Sequence, residues 1–107
     1  MGEDHRGQTA VLFVSKRTDE DAAGYAAAAD AMDTLAAAQP GYRGIESQRG
    51  AGGIGITISY WADEASAAAW RDHPDHAAIR ALGRERWYDW YEVIVTRVER
   101  SYRWRRA

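Results

Sequence analysis

The chain has 107 residues, of which 46% are hydrophobic and 28% charged, a balance typical of one small soluble globular domain. The absence of cysteine excludes disulfides, thiolate catalysis and cysteine-ligated metals, and a net charge of −2 argues against a general nucleic-acid binder. The opening residues MGEDHRGQTA lack the apolar stretch of a signal peptide, and no apolar run reaches membrane-spanning length, so we expect a cytoplasmic protein of bacterial type and no membrane partner.

The first half of the chain predicts a strand, a helix and a hairpin. Residues 9–17 are apolar and β-branched in the middle, which is typical of a buried strand. An alanine-rich run from Asp19 to about Gln39 favours a helix, with Thr18 as its N-cap. Residues 42–49 and 54–61 predict two further strands, joined by a GAGG loop.

The second half predicts a broken helix followed by a last strand. Asp63 is placed to cap a second helix, and Pro74 interrupts it. A further helical piece is expected over residues 74–88, and a fourth strand over residues 91–102.

The element order β-α-β-β-α-β predicts an α+β fold of the ferredoxin-like, split βαβ type, with helices on one face of a four-stranded antiparallel sheet. Val11 and Phe13 alternate with Leu12 and Val14, so both faces of the first strand are apolar. A helix-free apolar face needs a partner, and we therefore expect a homodimer packed sheet to sheet. We expect one domain over residues 9–104, preceded by a flexible N-terminus (1–8) and followed by a basic tail (105–107).

Three stretches together suggest a family: PGYRGIES, ITISYWADEASAAAW and the pattern H..H......GR.RWY..Y......VER.Y. Over residues 10–102 the chain resembles the antibiotic biosynthesis monooxygenase superfamily, and in particular its small single-domain bacterial members. The resemblance implies a dimeric α+β barrel with a pocket between sheet and helices in each subunit. Its members include cofactor-independent monooxygenases of polycyclic phenols, quinol oxygenases and haem-degrading enzymes, so fold membership does not settle function.

A candidate site lies on the second helical piece. If that helix begins at Pro74, His76 and Arg80 fall on one face, and histidine has a pKa suited to proton transfer at neutral pH. An arginine one turn later is placed to hold an anionic phenolate or quinone oxygen. We predict His76 and Trp70 as catalytic residues. The predicted substrate-binding residues are Phe13, Trp61, Arg80, Arg84 and Trp87.

In an alternative interpretation these residues have structural roles only. Tryptophans at a helix–sheet junction fill a core, arginines cover a solvated face, and His76 is then a polar residue at its edge. For each tryptophan taken singly, core packing is the better interpretation.

The sequence favours a cofactor-independent monooxygenase or oxidase in which an electron-rich phenolate reduces dioxygen directly. Two alternatives stay open, namely a haem-binding or haem-degrading protein and a non-catalytic dimeric module that binds a small ligand. The haem-degrading pattern expects an asparagine on the first strand, a tryptophan on the second helix and a histidine ten residues after it. Trp70 matches, but Arg80 stands at the histidine position, the chain has no asparagine, and His76 would have to ligate from a shifted position.

Two further kinds of site are disfavoured. His73 and His76 have carboxylates nearby, but Pro74 separates them and changes the chain direction, so we predict no metal site. The aromatic and basic residues of RERWYDWY are interleaved with acids, so we predict no nucleic-acid partner.

Overall fold

The computed structural model describes residues 4–107; the first three residues of the expected flexible N-terminus lie outside the described range. The elements follow in the order β1 (Thr9–Arg17), α1 (Ala22–Ala37), β2 (Tyr42–Arg49), β3 (Ile54–Trp61), α2 (Glu64–Arg71), α3 (Pro74–Leu82), a π-helical segment (Gly83–Trp87) and β4 (Tyr88–Arg97).

The four strands form one antiparallel sheet in the order β2-β3-β1-β4. In this register Phe13 of β1 lies opposite Thr57 on β3 and Val93 on β4. Directly opposed residues share a face, so these side chains lie together on the side that carries the helices. The α+β, ferredoxin-like prediction is confirmed.

The core lies between the helices and one end of the sheet. Trp61, the last residue of β3, is 0% exposed and packs with Ala36 of α1 and with Ala67 and Trp70 of α2. Small alanine side chains allow both helices to approach the sheet closely, which leaves room for the two large indole rings. The tryptophans therefore anchor the helical layer.

The first helix begins later than predicted, and Thr18 is not its N-cap. The Thr18 hydroxyl instead donates to the carbonyl of Arg86 at 2.6 Å, which ties it to the π-helical segment. Asp21, with a left-handed φ of 53°, is the N-cap, and its carboxylate accepts from the Gly24 amide at 3.1 Å. Aspartate tolerates this backbone region better than most residues do, because its short side chain bonds locally.

The predicted breaks in the second helical region are correct. The Asp63 carboxylate accepts from the Ser66 amide, and the His73 imidazole accepts from the Asp75 amide, with Pro74 in the first turn of α3. Both caps satisfy amides that an α-helix leaves unpaired at its start.

The end of α3 and the start of β4 differ from the prediction. The α-helix ends at Leu82, not near Tyr88, and five residues of π-helix follow. Strand β4 then spans Tyr88–Arg97, rather than residues 91–102. Its register against β1 shifts between Lys16 and Arg17, so that Tyr88 and Tyr91 both belong to the helix-side face. Tertiary packing of these aromatic rings decided the boundary, which local periodicity does not encode.

The opposite face of the sheet carries no helix. Leu12 and Val14 lie on it at the centre, with Ile54, Trp90 and Ile94 exposed around them. This surface, which we call the helix-free face, is apolar as predicted from the alternation in β1.

We expect Trp61→Ala to lower the free energy of unfolding by about 3–5 kcal/mol, because it removes a fully buried indole and leaves a cavity under both helices. Urea denaturation measures the change. Leu82→Ala, at an exposed position at the end of α3, is the control and should cost well under 1 kcal/mol. Equal losses for the two variants would contradict the placement of Trp61 in the core.

Candidate functional site

Three aromatic rings form a stack from the core to α3. The Trp61 and Trp70 rings lie 6.1 Å apart, and the His76 ring lies on Trp70 at 4.4 Å with an interplanar angle of 14°. Trp61 is fixed at the base by its indole N–H, which donates to Ser59 Oγ at 3.0 Å. The imidazole is thus held flat against a ring that is itself held by the core.

A hydrogen bond selects one form of His76. Its Nδ1 lies 3.0 Å from the carbonyl oxygen of Trp70. A carbonyl can only accept, so Nδ1 carries the proton and Nε2 of the neutral ring keeps a free lone pair. The pKa of His76 lies below the ordinary histidine value because of burial, and the charges of Arg80 and His73 lower it further, although the bond to Trp70 opposes this. The lowered pKa favours the neutral ring over the cation.

Arg80 has a partner within the helical layer. Its Nη1 donates to the carbonyl of Arg71 at the end of α2, at 3.0 Å. The guanidinium therefore joins α3 to α2, close enough to His76 to disfavour protonation of that ring.

The remaining predicted site residues form a second cluster. Phe13 packs against Tyr88 and Tyr91 with ring centroids 5.3 and 5.2 Å away. Arg84, in the π-helical segment, donates from Nε to the Tyr91 hydroxyl at 2.6 Å. The fifth member, Trp87, is buried beside this group.

Trp87 connects the π-helical segment to the start of α1. Its indole N–H donates to the N-cap carboxylate of Asp21 at 3.3 Å, and its ring meets Tyr25 edge on. Its carbonyl accepts from Arg17 Nη1 at 2.8 Å. Because it is buried and fully bonded, Trp87 supports the cluster from beneath rather than forming an open wall.

The structure therefore does not bring all the predicted residues into one place. Trp61 lies opposite Thr9, whereas Phe13 stands four residues further along β1. At about 3.3 Å per residue the two clusters are roughly 13 Å apart along the strand. Trp61, Trp70, His76 and Arg80 belong to the first cluster, and Phe13, Arg84 and Trp87 belong to the second.

The sequence did not reveal the apolar surface on β4. Val93 and Val95 share the helix side of the sheet with Phe13, yet they are 51% and 55% exposed. The reason is that α1 packs mainly on β2, while α2 packs on β3 and β1. The helix side of β4 thus carries an open apolar surface, which we call the cleft over β4, with Tyr91 at one end of it. The signal in the sequence was the run VIVTRV, whose apolar residues fall on both faces.

A polar network beside the second cluster was also missed. Arg49, at the end of β2, donates to Ser15 Oγ at 2.9 Å and to the Tyr25 hydroxyl at 3.4 Å. Burial and the hydrogen bond with Tyr25 raise the pKa of Tyr88, so Tyr88 stays a neutral phenol. Gly55 of β3 leaves room for the Arg49 side chain to pass over that strand to Ser15, since a Cβ at position 55 would stand 2.9 Å from the Arg49 guanidinium carbon.

Two cavities lie away from both clusters. One of about 310 Å³ lies beside Tyr60 and Arg103, and one of about 800 Å³ lies beside Arg6 and residues 96–100. Neither is lined by a predicted site residue. Within the described chain, no group of three or more His, Asp or Glu side chains is placed to hold a metal ion. No helix in residues 4–107 has the length and apolar character needed to cross a membrane.

Comparison with known proteins identifies the family. The family model for antibiotic biosynthesis monooxygenase matches residues 9–82. The chain is also 45% identical over 92 residues to the uncharacterised protein YqjZ of Bacillus subtilis, covering 86% of this chain and 80% of that protein. The chain belongs to the antibiotic biosynthesis monooxygenase family.

Solved structures have the same fold as this family member. Rv0793 from Mycobacterium tuberculosis superposes with a TM-score of 0.73 at 22% identity, covering 83% of this chain and 92% of that one. SnoaB, a cofactor-independent oxygenase from Streptomyces nogalater, superposes with a TM-score of 0.75 at 12% identity, covering 89% and 96%. At these identities the likeness concerns the fold.

The residues of this family member do not reproduce the haem-degrading pattern. Arg80, which stands where that pattern has its histidine, carries a guanidinium that donates to a backbone carbonyl and has no lone pair for iron. The nearest imidazole, His76, lies flat on Trp70, with one nitrogen engaged by a carbonyl.

We expect nitrogen-detected NMR to show His76 as the Nδ1-protonated neutral tautomer at pH 7, with a pKa below the ordinary histidine value. Arg80→Gln should raise that pKa, because it removes a nearby positive charge. Arg86→Gln is the matched control, since Arg86 pairs with Glu20 and Asp21 at the start of α1. An unchanged pKa in Arg80→Gln would refute the electrostatic coupling.

Proposed function

We propose that this protein is a cofactor-independent monooxygenase that acts on a phenol- or quinol-like aromatic molecule in the cleft over β4. The observation that carries the proposal is the state of His76, a neutral imidazole held on Trp70 with Nδ1 engaged and Nε2 free. Membership of the family and the likeness in fold to SnoaB support the same reaction class.

In this proposal His76 removes the proton from the substrate. A general base works best when its neutral form dominates at the working pH, and burial beside Trp70 favours that form. The resulting phenolate is electron-rich and transfers an electron to dioxygen. The superoxide and the substrate radical then combine into a peroxide anion, which takes the proton held by His76 and becomes a hydroperoxide.

The reaction balances without an external reductant. A ring carbon that bears two hydrogens in the keto form becomes a carbonyl, one oxygen atom of dioxygen enters it, and the other leaves as water. The substrate supplies all four electrons. The protein supplies the base, holds the substrate in a reactive orientation and provides a low-dielectric surface.

The cleft suits a flat apolar substrate. Val93 and Val95 supply an apolar floor, and the ring of Phe13 lies beside Val93, with Tyr91 at the end. Arg84 belongs to the second cluster, and we assign it to an anionic substrate oxygen, in place of its bond to Tyr91. Trp61 and Trp87 act indirectly, by holding Trp70 and the π-helical segment in position.

We further propose that the active form is a homodimer packed through the helix-free faces. Ile54, Trp90 and Ile94 are exposed there, and Leu12 and Val14 lie at the centre. An apolar sheet face of this kind is stable in water when another apolar surface covers it, and an identical face is the simplest partner.

Oxygen uptake with dihydroxynaphthalene-type phenols should depend on His76. We expect His76→Ala to lower the rate by about 10²–10⁴-fold, the usual contribution of a general base. His73→Asn, which keeps an N-cap at a neighbouring histidine, is the control and should retain activity. The wild-type rate should fall as the pH drops through the lowered pKa of His76, since protonation removes the base.

The outcomes of that experiment separate the candidate functions. Substrate binding without oxygen uptake would favour a non-catalytic binding module. Uptake that is equal in His76→Ala would show that another group is the base. A haemin titration that shifted the Soret band of the wild-type protein would favour a haem protein.

Variants of two neighbouring residues of β4 test the dimer interface and the cleft separately. Ile94 lies on the helix-free face, 41% exposed, while Val93 lies on the cleft side. We expect Ile94→Arg to convert the dimer to monomer in sedimentation velocity, because it places a charge in an apolar interface. Val93→Arg should stay dimeric and lose binding of the aromatic substrate. The reverse pattern would contradict both assignments.

A further inference from the structure

The chain continues beyond β4 as a C-terminal arm, residues 98–107, which has no regular secondary structure. Its first residue remains paired to the segment before β1: the Val98 amide donates to the Gln8 carbonyl at 2.9 Å, and the Gly7 amide donates to the Val98 carbonyl at 2.8 Å. The arm therefore starts in register with the sheet.

The arm then turns to the helix-free face. Ser101 Oγ accepts from the amide of His5 at 2.8 Å, and the His5 ring stacks on Tyr60 at 3.6 Å with an angle of 6°. Tyr60 alternates along β3 with the buried Trp61, so its ring lies on the helix-free face. Arg103 lines the 310 Å³ cavity beside the same ring.

The next aromatic residues do not lie against their own protomer. Tyr102 is 88% exposed and Trp104 is 71% exposed, whereas Ser101 is half-buried. One side of the arm thus touches the edge of the helix-free face, and two large rings stand free of it. Exposure of this kind in two amphipathic aromatic residues is typical of an interface anchor.

The charges of the arm favour a second copy of this chain as its partner. Residues 98–107 carry four arginines and one glutamate, while the whole chain has a net charge of −2, so the rest of the molecule is negative. A second copy therefore offers a surface of opposite overall charge, and Glu46 and Glu92 alternate with the apolar residues on its helix-free face.

We propose that the arm clasps a second copy of this chain, with Tyr102 and Trp104 packing on the helix-free face of the other protomer. The proposal rests on the homodimer proposed above. A two-fold axis between the helix-free faces makes the contact reciprocal, so each dimer contains two such clasps. From Ser101 the remaining six residues span up to roughly 20 Å, enough to cross several strands.

Sedimentation velocity over a dilution series tests the clasp. The full chain with Tyr102→Ala and Trp104→Ala together should dissociate at least about tenfold more readily than the wild type, as expected when two aromatic anchors are truncated. Leu82→Ala, which removes an exposed apolar side chain from the helical layer, is the control and should leave the dissociation constant unchanged.

A contact measurement distinguishes a clasp from a general effect on stability. Because the chain has no cysteine, Arg105→Cys gives a single site for a nitroxide label. Mixed with unlabelled, nitrogen-15-enriched wild type, the labelled copy should broaden amide signals of Ile54 and Ile94 across the interface. A dimer without this broadening, or with an unchanged dissociation constant in the double variant, would overturn the clasp alone. A monomeric wild type would overturn the homodimer as well.

Discussion

The packing of Trp61 on Trp70 is the contact on which the rest of the molecule depends. Trp61 ends β3 and is fully buried, so the position of its ring is determined by the sheet. Trp70 stacks on it and thereby fixes α2, and His76 stacks on Trp70 from the next helix. The chemistry proposed for His76 is thus positioned from the sheet outward, through rings that have little freedom to move.

The π-helical segment has a comparable role at the other end of the cleft. It carries Arg84 towards Tyr91 and buries Trp87 against the start of α1. Gly83 allows this turn, because a Cβ there would stand 2.8 Å from the Tyr88 ring. π-Helical turns are uncommon and often occur at functional sites, which agrees with the position of this one beside the cleft. Strand β4 contributes to both the proposed substrate cleft and the proposed dimer interface, since Val93 faces the cleft and Ile94 faces the helix-free side.

The candidate site was only partly predictable from the sequence. His76 and Trp70 were predicted as catalytic partners, and the structure places their rings in contact. Their assigned role stays a prediction. Arg80 was assigned to substrate from its helical spacing, but spacing does not reveal that a carbonyl at the end of α2 lies within reach of its guanidinium. The network of Arg49, Ser15 and Tyr25 joins three separate elements, so no local pattern could indicate it.

The sequence by itself determined the order of the elements, the cap at Asp63, the two apolar faces of β1 and the family resemblance, because each depends on local periodicity, local hydrogen bonding or a run of residues read along the chain. Only the tertiary structure decided where α3 ends, which face of β4 stays open and which arginine remains near the cleft. Those outcomes depend on how rings and guanidinium groups from distant segments share space, and that competition is settled only when the sheet and helices have packed.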